Sequence, residues 1–447
     1  MIKGFVAALI GLLVLFLPGL RQETIAAKTA VQLLKSTEPS EICLMPSADA
    51  RYQNQSAPVQ GRRGGSAAAP QPDTPPGVMP AGWPGREVPG GDVRPARMVY
   101  DPNAIFNGMG IDPQNGIVVF SDENRGSLLS YDLTSGGQAT ATTEPRRHVV
   151  GGKVGLGFIA GVALDPIRRE IYTVNNDGGG LVVHPYDAHG DVAPIRRLTV
   201  PHQSWGLSLD LVNDELAVTS QQYQGISIFK RTASHTDRPI RTIRGTETQL
   251  ADPHGVFLDA ASDEVFAANH GNWTEMRTYS ADGPPLLPGE YIPGRFEKPS
   301  IRVYRASSNG NVPPIRTLQG PQTRLAWPMG ITVDDEAKEL AVANYGTDQI
   351  LVFAKNASGD AAPLRVIGGS KTSIVGPVAV GIDRKNDEMW VANYGEHTAV
   401  VFDRTASGNV APKRIIRNAP AGTPTSGFTN ASAAAYDSKR DQLLVPN

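Results

Sequence analysis

The chain has little cysteine, few aromatic residues, almost no net charge and no long apolar run. Its 447 residues include one cysteine, Cys43. A single thiol excludes an internal disulfide framework and a Cys-rich zinc centre. No Cys-x-x-Cys-His occurs, which excludes covalent c-type haem. Forty-two basic residues stand against 44 acidic ones, a net charge of −2. That balance argues against a protein that binds nucleic acid by neutralising phosphates, so no nucleic-acid partner is expected. There is no nucleophile elbow, no P-loop, no dinucleotide fingerprint and no HxH or HExxH.

The longest apolar run begins at Phe5 and ends at Leu17, short of the ~20 residues a spanning helix needs. Lys3 precedes it and Ala26 and Ala27 follow. Residues 1–27 therefore read as a secretory signal. Left uncleaved, the same run is an anchor, and it is the only membrane contact expected. Residues 28–90 read as a Pro/Gly-rich disordered linker, since 58–95 hold nine prolines and eight glycines and show no apolar period. This layout places the protein outside the cytoplasm, periplasmic or secreted. A hydrophobic content of 40% is enough for a core, which falls to residues 91–447.

Those residues repeat. An apolar strand ends in Asp112, Asp165, Asp210, Asp259, Asp334, Asp383 and Asp437, at intervals of 53, 45, 49, 75, 49 and 54. A second strand starts about five residues later, as in EIYTVN ending at Asn175 and ELAVAN ending at Asn344. A Pro-x-Arg heads a further strand at Arg97, Arg147, Arg196, Arg241, Arg316, Arg365 and Arg414. A third strand lies between, such as the one ending at Phe353. Four short strands per ~45–50 residues describe a β-propeller blade, whose two faces are buried only by neighbouring blades. The seven marker sets predict an all-β, seven-bladed β-propeller. Its last blade would be completed by an N-terminal strand around 95–100, closing the ring. Six blades is the alternative, if the C-terminal hairpin forms no blade of its own. Each Asp, followed by a polar loop and a Glu, suits an Asx turn, and the glycine of SGN or SGD suits a positive φ. Pro and Arg on the last strand suit an exposed, charged edge.

The phrases ELAVANYGTDQILVF (339–353) and EMWVANYGEHTAVVF (388–402), with the strand G-x-x-x-D before each, resemble the YVTN/NHL group of propellers. The resemblance spans residues 91–447 and implies the fold. It is similar in kind to extracytoplasmic binding proteins, lactonases of the gluconolactonase type and streptogramin-type lyases, so it implies no single chemistry. The gluconolactonase-like enzymes use a Glu and an Asp in the channel, and no Glu stands clearly in that register here.

In such a ring, the start of each inner strand and the end of each second strand meet on one face around the channel. The second-strand ends are Asn175, Asn269, Asn344, Asn393 and Asn447, with Ser121 and Ser220 in the same register. Tyr345 and Tyr394 follow two of them. Repetition in nearly every blade favours turn chemistry for the asparagines, whereas a functional site should break the symmetry. Blade four breaks it. It carries an insertion over 272–299 that contains Trp273, and it places His254 before its inner strand and His270 after its second. Trp205 stands at the start of the inner strand before. Asn175, Trp205, Asn269, Trp273, Asn344, Tyr345, Asn393 and Tyr394 are thus the candidate ligand-binding residues. His254 and His270 are the candidate catalytic residues, and with Asp252 the candidate ligands of a divalent metal. Asp122 and Glu123 are possible companions. Two readings follow: a non-catalytic propeller that binds a small molecule or protein at its channel face, or a metal-dependent lactonase or lyase. No other cofactor is implied.

Overall fold

The computed structural model describes residues 102–138, 140–176, 180–274, 294–423, 435–437, 439 and 442–444. The segments 1–27 and 28–90, Cys43, the strand expected at 95–100, the side chain of Trp273 and Asn447 lie outside them.

Alternating apolar residues in runs of six or seven, cut by turn residues, produce six four-stranded antiparallel sheets at 106–149, 159–199, 204–244, 253–318, 328–368 and 377–417. The inner strands are Phe106–Asp112, Ile159–Asp165, Ser204–Asp210, Pro253–Asp259, Pro328–Asp334 and Pro377–Asp383. Second strands such as Glu170–Asn175 and Glu388–Asn393 are buried along their whole length, because each sheet is covered on both faces by its neighbours. The terminal aspartate of each inner strand shapes the hairpin. Asp165 Oδ1, for example, accepts from the backbone N–H groups of Ile167 and Arg168 at 2.9 Å.

The ring has six blades, not seven. The outer strand of each blade makes one backbone bridge to a turn of the next blade: Val149 to Gly190, Leu198 to His235, Ile243 to Gly310, Leu318 to Gly359, Ile367 to Gly408, and Ile415 back to Gly137. The last of these joins blade 6 directly to blade 1. His397 Nδ1 meets the Ala104 carbonyl at 2.9 Å across the same junction, and one apolar cluster runs through it from Trp390 and Phe402 to Phe106, Phe120 and Tyr131. No gap is left for a seventh blade. The hairpin of Ala435–Asp437 with Gln442–Leu444 is a separate two-stranded sheet. Among the described residues, the marker at Asp437 ends a strand that only one other joins.

The Pro-x-Arg arginines do more than charge an edge. In five blades the guanidinium grips the Glu that opens the second strand of its own sheet. These bidentate pairs are Arg196–Glu170, Arg241–Glu215, Arg316–Glu264, Arg365–Glu339 and Arg414–Glu388, with distances from 2.5 to 3.0 Å. Three of them also donate to a carbonyl of the next blade: Arg241 to Ala306, Arg365 to Arg404, and Arg414 to Leu133 and Ser135. In blade 1, Ile117 stands where the others have Glu.

The Arg414 pair gives a test. Burial opposes ionisation of Glu388, but the bonds and charge of Arg414 outweigh it and hold the carboxyl below its ordinary value of 4.5. Its stabilising contribution is therefore complete above that value and is lost as pH falls through the lowered one. Arg414→Ala should cost about 2–3 kcal/mol in denaturant unfolding at pH 7. The deficit should shrink as pH falls through the lowered pKa, below which Glu388 is neutral in both proteins. An unchanged midpoint would contradict the clamp.

Candidate functional site

Every inner strand begins with a β-bulge against its second strand, as between Pro253 and Val256, or between Pro377 and Ala379. A bulge re-aims the side chain it contains. The bulged residues are Asn107, Ala160, Trp205, His254, Met329 and Val378. In five blades the next residue is glycine, because the following blade's backbone passes close by. A Cβ on Gly206 would lie 2.2 Å from the His254 carbonyl oxygen, and one on Gly255 2.3 Å from that of Met329. These close approaches narrow the channel to a cavity of about 70 Å³, lined by Gly206, Gly255, Gly330 and their neighbours. That is room for a few waters, well below the ~300–1,000 Å³ of a typical small-molecule pocket.

A second repeated contact completes the face. The residue after each second strand donates its backbone N–H to the residue before the inner strand. The pairs are Glu123 to Ile105, Asn176 to Phe158, Gln221 to Gln203, His270 to Asp252, Tyr345 to Trp327, and Tyr394 to Gly376, at 2.7 to 3.2 Å. Three positions per blade therefore present side chains at the channel mouth, and their identities differ from blade to blade.

The asparagines at the second-strand ends are occupied elsewhere. Each Oδ1 accepts from the backbone of the loop that leads into the inner strand: Asn175 from Gly157, Asn269 from Ala251, Asn344 from Ala326 and Asn393 from Val375. Each Nδ2 donates to a carbonyl two residues earlier in that loop, those of Gly155, Gln249, Arg324 and Ser373. The amides are staples that satisfy otherwise buried backbone groups. In blade 1 the register is filled by Asp122 rather than Ser121, since Asp122 pairs with Phe106 as Asn175 pairs with Ile159. Ser121 instead bonds Gly108 N and Ala160 O, tying blade 1 to blade 2.

Blade 4 presents Asp252, His254 and His270, with one ligating atom from each lying within 4.8 Å of the others. The two imidazoles stack with centroids 3.5 Å apart and 15° between planes. Each Nδ1 lies 3.6 Å from one Asp252 oxygen. Gln221 Nε2 reaches Asp252 Oδ1 at 3.0 Å and His254 Nε2 at 2.9 Å. His270 Nε2 faces the Met329 sulfur at 3.0 Å. Burial works against the Asp252 carboxylate, but His254, His270 and Gln221 outweigh it and hold its pKa at about 2. Burial, then the neighbouring His270 ring, pushes His254 down to about 3, so its imidazole is neutral at pH 7.

The stacked histidines are the middle of a longer row. Phe158, Trp205, His254, His270, Trp327 and Tyr345 follow one another with centroid separations of 6.3, 4.8, 3.5, 5.9 and 6.2 Å, spanning blades 2 to 5. Trp327 is 43% exposed. On blades 6 and 1, Tyr394 Oη meets Glu123 at 3.1 Å and Asn107 donates to the same carboxylate at 2.8 Å. Of the residues singled out in the sequence, Asp252, His254, His270, Trp205, Tyr345, Tyr394 and Glu123 share this face. The strand of Asn272–Thr274 pairs with Gly294–Phe296 at the base of the insertion. Sequence reasoning missed Phe158, Gln221, Trp327 and Met329. Their signal was positional: one residue after each staple, and the two flanking the first residue of each inner strand.

No family model and no curated protein matches the chain. In fold it is similar to a chain of Kuenenia stuttgartiensis hydrazine synthase, with 11% identity and a TM-score of 0.46 over 70% of this chain and 82% of that one. It is also similar to a chain of the nidogen/laminin complex, with 14% identity and a TM-score of 0.43 over 70% of this chain and 96% of that one.

Asp122 supplies the prediction. Burial pushes its carboxyl up to about 6 from 3.8. The folded state thus prefers the neutral acid, and stability falls as pH rises from 3.8 through about 6. Asn at this position keeps the acceptor for Ile105 N and can donate to Ser127 Oγ, as Asn393 donates to Thr398 Oγ1. Asp122→Asn should raise stability above pH 6 by about 1–3 kcal/mol and flatten its pH dependence between 4 and 6. A loss of stability at pH 7.5 would contradict the staple assignment.

Proposed function

We propose that the chain is an extracytoplasmic binding protein that holds a small ligand against the channel face of its propeller. The observation that carries this reading is the row of six rings from Phe158 to Tyr345. Three of the five contacts are stacked and two are tilted or edge-on; with the exposed Trp327 the row lines the channel mouth with aromatic surface, and the amides of Asn176 and Gln221 and the Glu123–Tyr394 pair give it a polar border. Such a surface suits a sugar ring or a planar aromatic group. The channel is too narrow to hold one, so the ligand lies across its mouth. The repeated NYG phrases support placement among YVTN/NHL-type propellers, and the apolar run from Phe5 to Leu17 supports export.

The second reading is a metal-dependent lactonase or lyase centred on His254 and His270, favoured by their meeting with Asp252. It is the weaker one because His254 Nε2 and His270 Nε2 are already engaged by Gln221 and Met329, and Glu123 by Asn107 and Tyr394.

Tryptophan fluorescence of the full chain against a panel of oligosaccharides, indole and phenol derivatives and lactones tests both readings. At least one sugar or aromatic compound should quench saturably, with affinity falling at least tenfold in Trp327→Ala. Silence across the panel would refute the binding face. Lactone turnover lost in His254→Ala would replace it with the enzyme reading.

A further inference from the structure

We propose that Asp252, His254 and His270 form a binding site for a divalent transition-metal ion of the zinc class, on the channel face of blade 4. The proposal does not depend on the identity of the small ligand. All three face positions of this blade carry His or Asp, and in no other blade does more than one of the three carry His, Cys, Asp or Glu. The separations are informative. At 3.6 Å, each Nδ1 is too far from the Asp252 carboxylate for a good hydrogen bond. Two ligand atoms placed ~2.1 Å from a tetrahedral ion lie about 3.4 Å apart. Each imidazole thus stands near bridging distance from its own carboxylate oxygen, Oδ1 for His254 and Oδ2 for His270, and the three ligand atoms, within 4.8 Å of one another, would draw closer around one ion.

Charge points the same way. The Asp252 side chain is 14% exposed and those of His254 and His270 are 5% and 7% exposed. Among the described residues no Lys or Arg pairs with Asp252, so a mostly buried carboxylate lacks a permanent cation. A divalent ion supplies one. The far edges of the rings are already held by flanking blades: His254 Nε2 by Gln221 of blade 3, and His270 Nε2 by Met329 of blade 5. Such outer contacts fix imidazole orientation in metal sites. Without metal, His254 Nδ1 lies 3.1 Å from the Asp252 carbonyl oxygen and is placed to donate to it. Binding at Nδ1 moves that proton to Nε2, and the Gln221 amide then gives up its contact with that nitrogen while keeping those with Asp252 and Asn176.

Two nitrogens and one oxygen favour Zn²⁺ or Co²⁺ over Ca²⁺ or Mg²⁺, which prefer all-oxygen shells. Three protein ligands leave a coordination position open to a further group.

The test uses the full chain, stripped with EDTA and titrated with Co²⁺ followed by visible absorption, then with Zn²⁺ by calorimetry. One ion per chain should bind, with d–d bands of a low-coordinate cobalt site that Zn²⁺ abolishes and millimolar Ca²⁺ does not. His270→Ala should weaken binding at least 100-fold. Asp252→Asn, which keeps the shape of the side chain and so guards against misfolding, should weaken it at least tenfold. Circular dichroism verifies the fold of each. His148→Ala, whose ring meets Ser127 within blade 1, should bind as wild type. No binding by the wild type up to 100 µM Zn²⁺, unchanged affinity in both Asp252→Asn and His270→Ala, or displacement of the ion by Ca²⁺ would each overturn the proposal.

Discussion

The structure depends on one repeated contact, the bridge by which the outer strand of each blade hydrogen-bonds a turn of the next. A four-stranded sheet with two apolar faces has nothing to bury them against on its own. Closing six sheets into a ring covers every face, and the bridges fix how each blade meets its neighbour. Gly190, Gly310, Gly359 and Gly408 hold positive φ values, of 71°, 83°, 62° and 79°, at these points. The turn conformation and the inter-blade bond are thus one device. Bonds from Arg414 to Leu133 and Ser135 at the last junction make the chain's distant parts a single ring.

Once the bridges and staples carry the fold, the channel-face positions are released from structural duty. The aspartates, asparagines, glycines and Arg–Glu clamps recur because every blade needs the same backbone satisfied. The residues in the bulges and beside the staples vary from blade to blade, with only the tyrosines of blades 5 and 6 recurring. They read Asn107, Ala160, Trp205, His254, Met329 and Val378 in one series, and Glu123, Asn176, Gln221, His270, Tyr345 and Tyr394 in the other. The ring row and the Asp–His–His cluster arise where these two series meet the residues before the inner strands, Phe158, Asp252 and Trp327, on blades 2 to 5.

What the sequence disclosed were local backbone demands. Asp165 before its loop and Gly359 in its turn do what their residue types require within a few positions of themselves. Blade number was not legible in the same way. Asp437 ends a strand as correctly as Asp383 does, but a strand signal carries no information about whether three more strands join it. The Arg role was hidden because its partner stands 26 residues earlier, as in Arg414 and Glu388. The staples were hidden because Asn344 reaches loop atoms 18 and 20 residues away. The one-residue shift from Ser121 to Asp122 shows the same limit. Matching by appearance chose the polar residue nearest the pattern, and only the pairing of Phe106 with Asp122 sets the register.

The division between scaffold and face is tested most directly by two variants that meet one loop of blade 5. Asn344 bonds Ala326 N, while Trp327, the next residue of that loop, projects to the face with φ 49°. Thermal melting of Asn344→Ala and Trp327→Asn separates their roles. Asn344→Ala leaves the Ala326 N–H and Arg324 carbonyl unpaired and should lower Tm by several degrees, matching a loss of about 2–4 kcal/mol. Trp327→Asn puts a residue that tolerates left-handed backbone at an exposed site and should leave Tm within about 2 °C of wild type. A fall in Trp327→Asn as large as that in Asn344→Ala would contradict the account, because the aromatic face would then be part of what holds the ring together.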